Sequence, residues 1–192
     1  RRPFHFLYTM SITKPGERKL QILQTLAGML ENPKGEKITT AALAAKIDVS
    51  EATLYRHFAS KAQMFEGLIE FIETTVFGLI NQISQQHKDG LQQAHGITLM
   101  LLSFAERNPG MTRVLIGDAL VNEDARLQLR MNQFMDRIEL AYKQALRQAV
   151  VQGQVPDNEI VMRANLLTNF VLGRWQRYAK TGFKASPTEL AT

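Results

Sequence analysis

The chain contains no cysteine, so neither a disulfide framework nor a thiolate metal site is open to it, and a reducing cytosol is the compartment that suits it. It has no apolar run approaching the roughly 18 residues that a membrane span requires. The four histidines, at positions 5, 57, 87 and 95, show no metal-ligand spacing, and there is no HExxH, nucleophile elbow or glycine-rich phosphate loop. Asp118, Glu123 and Asp124 fall close together, but helix capping or a solvated surface accounts for them. The sequence therefore offers no catalytic constellation, no cofactor site and no metal site. Sustained period-two alternation is also missing, whereas apolar residues recur at spacings of three and four in segment after segment, which makes the fold class all-α.

What is present is unevenly distributed. Residues 1–61 carry ten of the 23 Lys and Arg but five of the 18 Asp and Glu, so the net charge of +5 resides in the first third and the remainder is balanced. A basic module attached to a neutral body points to a localised polyanion contact, with nucleic acid as the leading candidate. The 192 residues, 45% of them hydrophobic, suffice for a small domain plus a larger one. Arg1 to Thr9 reads as a disordered or non-native leader, with Met10 and Ser11 resembling a natural start.

The helical pattern can be followed along the chain. A first helix is expected from about Pro15 to Leu30, with Leu20, Leu23, Ala27 and Leu30 as its stripe and Ile22 and Leu26 flanking, ended by the turn Asn32 to Gly35. Thr39 or Thr40 caps a second helix with Leu43 and Ile47 inward. Asp48, Val49 and Ser50 turn into a third from Glu51 to Phe58, with Ser50 as N-cap. Ser60 and Gln63 form a capping-box pattern opening a long fourth helix, striped by Phe65, Leu68, Ile69, Ile72, Val76, Leu79 and Ile83, to about His87. A helix over His95 to Arg107 follows, then Asn108 as cap and Pro109 in the first turn of a short helix to about Val121. Leu127, Met131, Phe134, Ile138, Ala141, Ala145 and Ala149 line a helix over Asp124 to Val151, and Ile160, Ala164, Leu167, Val171, Trp175 and Tyr178 line the last.

The segment Ile38 to Phe65 divides its residues as a helix-turn-helix does. Leu54 and Phe58, four apart, face a core, which leaves Ala52, Thr53, Tyr55, Arg56 and His57 for a major groove and its walls. Thr53 brings a methyl and a hydroxyl, Tyr55 and His57 bring polar tips for phosphates, and Arg56 suits either a guanine or a phosphate. Thr39 and Ser50, each at a helix start, are placed to donate to phosphate. Lys61 falls in the first turn of the fourth helix, where the macrodipole disfavours a cation by about 0.3 to 1 kcal/mol. A phosphate oxygen reverses that penalty; a solvated surface lysine is the alternative. For Glu51 the reading is local, a carboxylate that helps its own helix and would repel DNA.

The residues Leu43, Ala44, Ile47, Val49, Ser50, Thr53, Leu54, Tyr55, Arg56, His57, Phe58, Ser60 and Lys61 resemble the TetR family of helix-turn-helix regulators. The resemblance implies an N-terminal three-helix DNA-binding domain, residues 10–60, and a larger C-terminal helical dimerisation and partner-binding domain, residues 61–192. ERKLQILQTLAGMLE, FAERNPGMTRVLIGDAL and DARLQLRMNQFMDRIE, together with the helix-turn-helix segment, extend the likeness to the nucleoid occlusion factors of that family, from about Glu17 to Pro187. This implies a cytoplasmic, nucleoid-associated homodimer on palindromic sites of double-stranded DNA that antagonises the division protein FtsZ, and a further helix beyond Pro187. It also maps FtsZ-contact positions onto Phe71, Arg107 and Asn108, whereas Leu79 and Ser103 depart in type from the family's groove. Phe71 lies about 110 degrees from the centre of its helix's buried stripe, on a flank that could meet a partner. The wider family's common role, a transcriptional repressor released by a small molecule, would need an apolar cavity; His95, Asn165, Thr168 and Trp175 are the residues that could line one.

Overall fold

The computed structural model describes residues 16–32, 34 and 37–189. The leader read at residues 1–9 and the helix expected beyond Pro187 fall wholly or mainly outside them. Eight α-helices run in the order α1 (Glu17–Leu30), α2 (Thr40–Lys46), α3 (Glu51–His57), α4 (Lys61–Gln86), α5 (Gly90–Arg107), α6 (Pro109–Leu115), α7 (Ala125–Val151) and α8 (Ile160–Lys180), and no strand occurs among the described residues. Short 3-10 turns, Asp118–Leu120 and Asp157–Glu159, lead into α7 and α8.

α1 to α3 form a compact module whose interior is Ile22, Leu26, Ile38, Leu43, Ala44, Leu54 and Phe58. The buried line of α1 is Ile22, Leu26 and Leu30, which corrects the expected stripe of Leu20, Leu23, Ala27 and Leu30. α1 packs against α2, α3, α4 and α6, so its burial is set by several neighbours rather than one, and the supposed flank becomes the centre. α4 leaves the module and enters the body, burying Met64, Phe65, Leu68, Ile69, Ile72, Val76 and Ile80; Ile80 takes the place foreseen for Leu79, which is half-buried.

The body is built on α7 and α8, with α5 across both. α5 starts at Gly90, one turn earlier than the apolar pattern suggests, capped by Asp89, whose side chain accepts from Gln92 N at 2.9 Å. A Cβ at Gly90 would stand 2.3 Å from Ala149 N and 2.4 Å from Ala145 O, so only glycine lets α5 meet α7 so closely. α6 is gripped against the module in the same manner: a Cβ at Gly110 would stand 2.0 Å from Ala27 O, and Arg113 donates to Leu30 O at 3.0 Å, satisfying a carbonyl at the end of α1. Asn108 sits at the N-cap position of α6 but does not cap it. Its side chain donates to Phe104 O at 2.8 Å, closing α5 instead.

Candidate nucleic-acid interface

The turn between α2 and α3 is made by Asp48, whose φ of 55° is left-handed, a conformation that Asp tolerates better than most residues. Each helix then begins on a side-chain cap. Thr39 Oγ1 accepts from Ala42 N at 3.1 Å and Ser50 Oγ accepts from Thr53 N at 3.2 Å. An accepting hydroxyl keeps its own proton, so capping leaves both residues able to donate to phosphate. Leu54 is fully buried and Phe58 nearly so, with the Lys19 ammonium 5.6 Å from the Phe58 ring centre. That anchoring turns Ala52, Tyr55 and Arg56 outward, with Thr53 and His57 half-exposed beside them.

The exposed face is already organised. Ser50 Oγ and Thr53 Oγ1 lie 3.1 Å apart, Thr40 Oγ1 donates to Glu51 Oε2 at 2.7 Å, and Tyr55, 45% exposed, reaches Thr40 Oγ1 at 3.4 Å. Thr40 and Glu51 were not among the residues singled out for this face, yet they hold the ends of α2 and α3 together and fix the angle at which α3 is presented. Nothing in local spacing announces a pair 11 positions apart across a turn.

Lys61 is partly buried and already paired. In the first turn of α4 its Nζ meets Glu123 Oε1 at 2.6 Å, with side-chain exposures of 22% and 13%. This corrects the reading of Glu123 as a cap or a solvated carboxylate, and it shows that Lys61 has a carboxylate neighbour in the absence of DNA. The residues are 62 positions apart, and only the fold brings them together. Behind them Glu66 pairs with Arg126, and Glu73 accepts from Arg130 Nη2 at 2.6 Å and lies 3.8 Å from Arg137 Nη1, so a polar seam joins α4 to α7.

The positions that the resemblance maps to a partner lie on neighbouring elements. Phe71 is half-buried on α4, Arg107 is exposed at the last turn of α5, and half-buried Asn108 follows it. Leu79 and Ser103 are half-buried on α4 and α5. The four residues weighed for a ligand cavity fit other tasks. His95 and Asn165 are exposed; Thr168 donates to Ala164 O within its own helix, and the buried Trp175 indole donates to Leu101 O at 3.0 Å, tying α8 to α5.

Comparison with known proteins accords with this geometry. Residues 36–68 match the tetR family of bacterial regulatory proteins, and residues 88–191 match the SlmA-like group of Tetracyclin repressor-like C-terminal domains. The nucleoid occlusion factor SlmA of Alteromonas mediterranea is 48% identical over 181 residues, spanning 94% of this chain and 93% of its own length. That of Idiomarina loihiensis is 49% identical over 175 residues, spanning 90% and 88%. Among solved structures, the fatty acid degradation regulator FadR of Bacillus halodurans superposes with a TM-score of 0.76 over 93% of each chain at 14% identity, which speaks for the fold alone. With family models on both its parts and relatives near half identical along almost its whole length, the chain belongs to the SlmA nucleoid occlusion factors of the TetR family.

Proposed function

We propose that this nucleoid occlusion factor acts as a homodimer that binds palindromic double-stranded DNA through α3 and, once on DNA, antagonises FtsZ assembly so that no septum closes over the nucleoid. The observation that carries the DNA reading is the division of labour on α3: Leu54 fully buried, Tyr55 and Arg56 outward, and capped helix starts on either side of the turn. In this reading Ala52, Thr53 and Arg56 enter the major groove, Tyr55 and His57 meet its walls, and Thr39, Ser50 and Lys61 take phosphates. Residues 10–60 then act as the DNA module and residues 61–192 as the dimerisation and partner-binding body.

Dimerisation is supported by the outer face of α7 and α8. Leu166 is 60% exposed and Phe170 45% exposed, with Met162 one turn before them and Leu129 and Leu140 on α7. Met162, Leu166 and Phe170 are spaced by four and form one stripe. A shallow groove of about 510 Å³ continues it past Gly173, between Arg174 and Arg177. An apolar stripe of this kind on a helical body fits a second copy of the same face. For the FtsZ surface, Phe71, Arg107 and Asn108 supply a half-buried ring, a cation and an amide on the α4–α5 side.

The test is sedimentation of FtsZ polymers formed with GTP, in the presence of this protein with and without a palindromic duplex. DNA-dependent loss of pelleted FtsZ is expected. Equal effects with and without DNA reject the activation, and a small molecule that raises Tm while releasing DNA would turn the reading toward a ligand-responsive repressor.

A further inference from the structure

Lys61 is asked to serve two anions. In the DNA-free protein its ammonium is held by Glu123 at 2.6 Å, in a pair that both partners shelter from water, where charges are screened less than on an open surface. The carboxylate stands at the start of α4, where a cation is disfavoured by the helix and an anion favoured, and it does for Lys61 electrostatically what a phosphate oxygen would do. Seating a phosphate on the same ammonium would bring two anions together around one cation, with only partial screening.

We propose that Glu123 is an internal competitor for the phosphate position at Lys61 and that duplex DNA displaces it. The inference rests on the DNA-binding reading above and adds to it a route by which DNA alters the body. The segment that carries Glu123 is short and lies between two anchored turns, with Leu120 buried and Asp118 paired to Lys180 before it. Asn122 has a left-handed φ of 65°, Glu123 N donates to Leu120 O at 3.1 Å, and Asp124 accepts from Arg126 N at 3.0 Å to cap α7. Val121 beside them is exposed. Going back along the chain, this segment connects through the Asp118–Leu120 turn and α6 to Asn108 and Arg107. Freeing Glu123 therefore removes a tie between the start of α4 and the segment that leads into α7. The rungs of the neighbouring α4–α7 seam have the opposite polarity, carboxylates on α4 and guanidinium groups on α7. Among the described ion pairs of α4, the Lys61 pair, made with the segment just before α7, is thus the one in which α4 supplies the cation, and it is the one a polyanion can open.

The test is fluorescence anisotropy with a labelled mixed-sequence duplex at low salt, using the full chain, Glu123→Gln, Lys61→Met and the double variant. Competition predicts that Glu123→Gln tightens binding about threefold or more, and that the same substitution changes affinity by less than about 1.5-fold in the Lys61→Met background. An equal gain in both backgrounds would mean that Glu123 merely repels DNA at a distance, and the proposal falls. No gain, or a loss, would mean that Glu123 orients Lys61 rather than competing with phosphate, and it falls again. Failure of the unsubstituted protein to bind any duplex is a separate result that rejects the DNA reading itself. Hydrogen exchange gives an independent reading: amides of residues 121–124 are expected to exchange faster when duplex is added, and unchanged exchange on saturation with DNA overturns the displacement.

Discussion

The outer face of α2 and α3 and the outer face of α7 and α8 both turn away from the core, but they do so with opposite chemistry. The first shows short polar groups, an arginine and a tyrosine tip on two seven-residue helices. The second shows Leu129, Leu140, Met162, Leu166 and Phe170 on helices of 27 and 21 residues. Short helices have little intrinsic stability, so the first face depends on its caps and on Leu54 and Phe58 beneath it, and it can afford to keep polar groups free for an incoming phosphate. The long helices are stable through their own buried sides and leave an apolar stripe over. One face is suited to a charged ligand whose contribution varies with salt; the other is suited to an apolar partner whose contribution hardly does.

That contrast is most severely tested at the apolar face. Replacing Leu166 and Phe170 together by Glu puts two carboxylates in the centre of the stripe, and the protein is expected to run as a monomer by analytical ultracentrifugation with its helical content unchanged. Losing the linkage between two DNA modules should then weaken binding to a palindromic duplex by about 100-fold or more, while binding to a half-site changes little. A double variant that remains dimeric would show that the stripe serves another partner.

Smaller effects are expected on the polar face, and they should differ in kind from residue to residue. Lys61→Ala is expected to weaken every duplex to a similar degree and to reduce the slope of log K against log salt by about one. Thr53→Ala should leave the slope alone and change the ranking of sites, because in the proposed reading its methyl and hydroxyl meet base edges. A Lys61→Ala protein that altered only sequence preference would contradict the phosphate assignment. Thr39→Ala separates structure from contact: it removes a cap at a cost of about 1 kcal/mol, which urea denaturation reads directly, and any further loss of affinity belongs to the phosphate.

How much of this was legible in the sequence follows the range of the interactions. The long helices announced themselves because a period of 3.6 held over many residues, and Ser50 and Ser60 were readable as caps because their partners are three positions away. The centre of the α1 stripe was not legible, since it depends on where α2, α4 and α6 press on it. Neither was the start of α5, where Gly90 looks like a helix breaker until Ala145 and Ala149 are seen against it. Asn108 has the residue type of a cap, and its side chain bonds backward because the Phe104 carbonyl is within reach. The division of α3 into a buried side, Leu54 and Phe58, and an outward side was legible because it repeats within four residues, but the Thr40–Glu51 contact and the ion pair at Lys61 were not, because 11 and 62 residues separate their halves.

An effect confined to alkaline pH concerns the body alone and distinguishes its core from both faces. Tyr142 is fully buried in α7, its hydroxyl 2.7 Å from Thr98 Oγ1. Burial pushes its ionisation well above the ordinary value of 10.0, with the Thr98 hydrogen bond opposing only in part. The folded chain therefore keeps this phenol protonated at a pH where the unfolded chain ionises it. The stabilisation is complete below about pH 10, the unfolded value, and is lost as pH rises beyond it, by up to about 1.4 kcal/mol per pH unit for a single group. Tyr178 shifts in the same direction, from burial first and then from the Glu106 and Glu31 carboxylates, so the wild-type decline has at least two contributors. Tyr142→Phe isolates one of them, because Thr98 retains its bond to Ala94 O at 2.9 Å and no buried donor is orphaned. Urea denaturation of the two proteins at pH 8 and at pH 11 should show the variant losing less stability between those values; equal losses would mean that the Tyr142 phenol ionises within the folded body as it does in water.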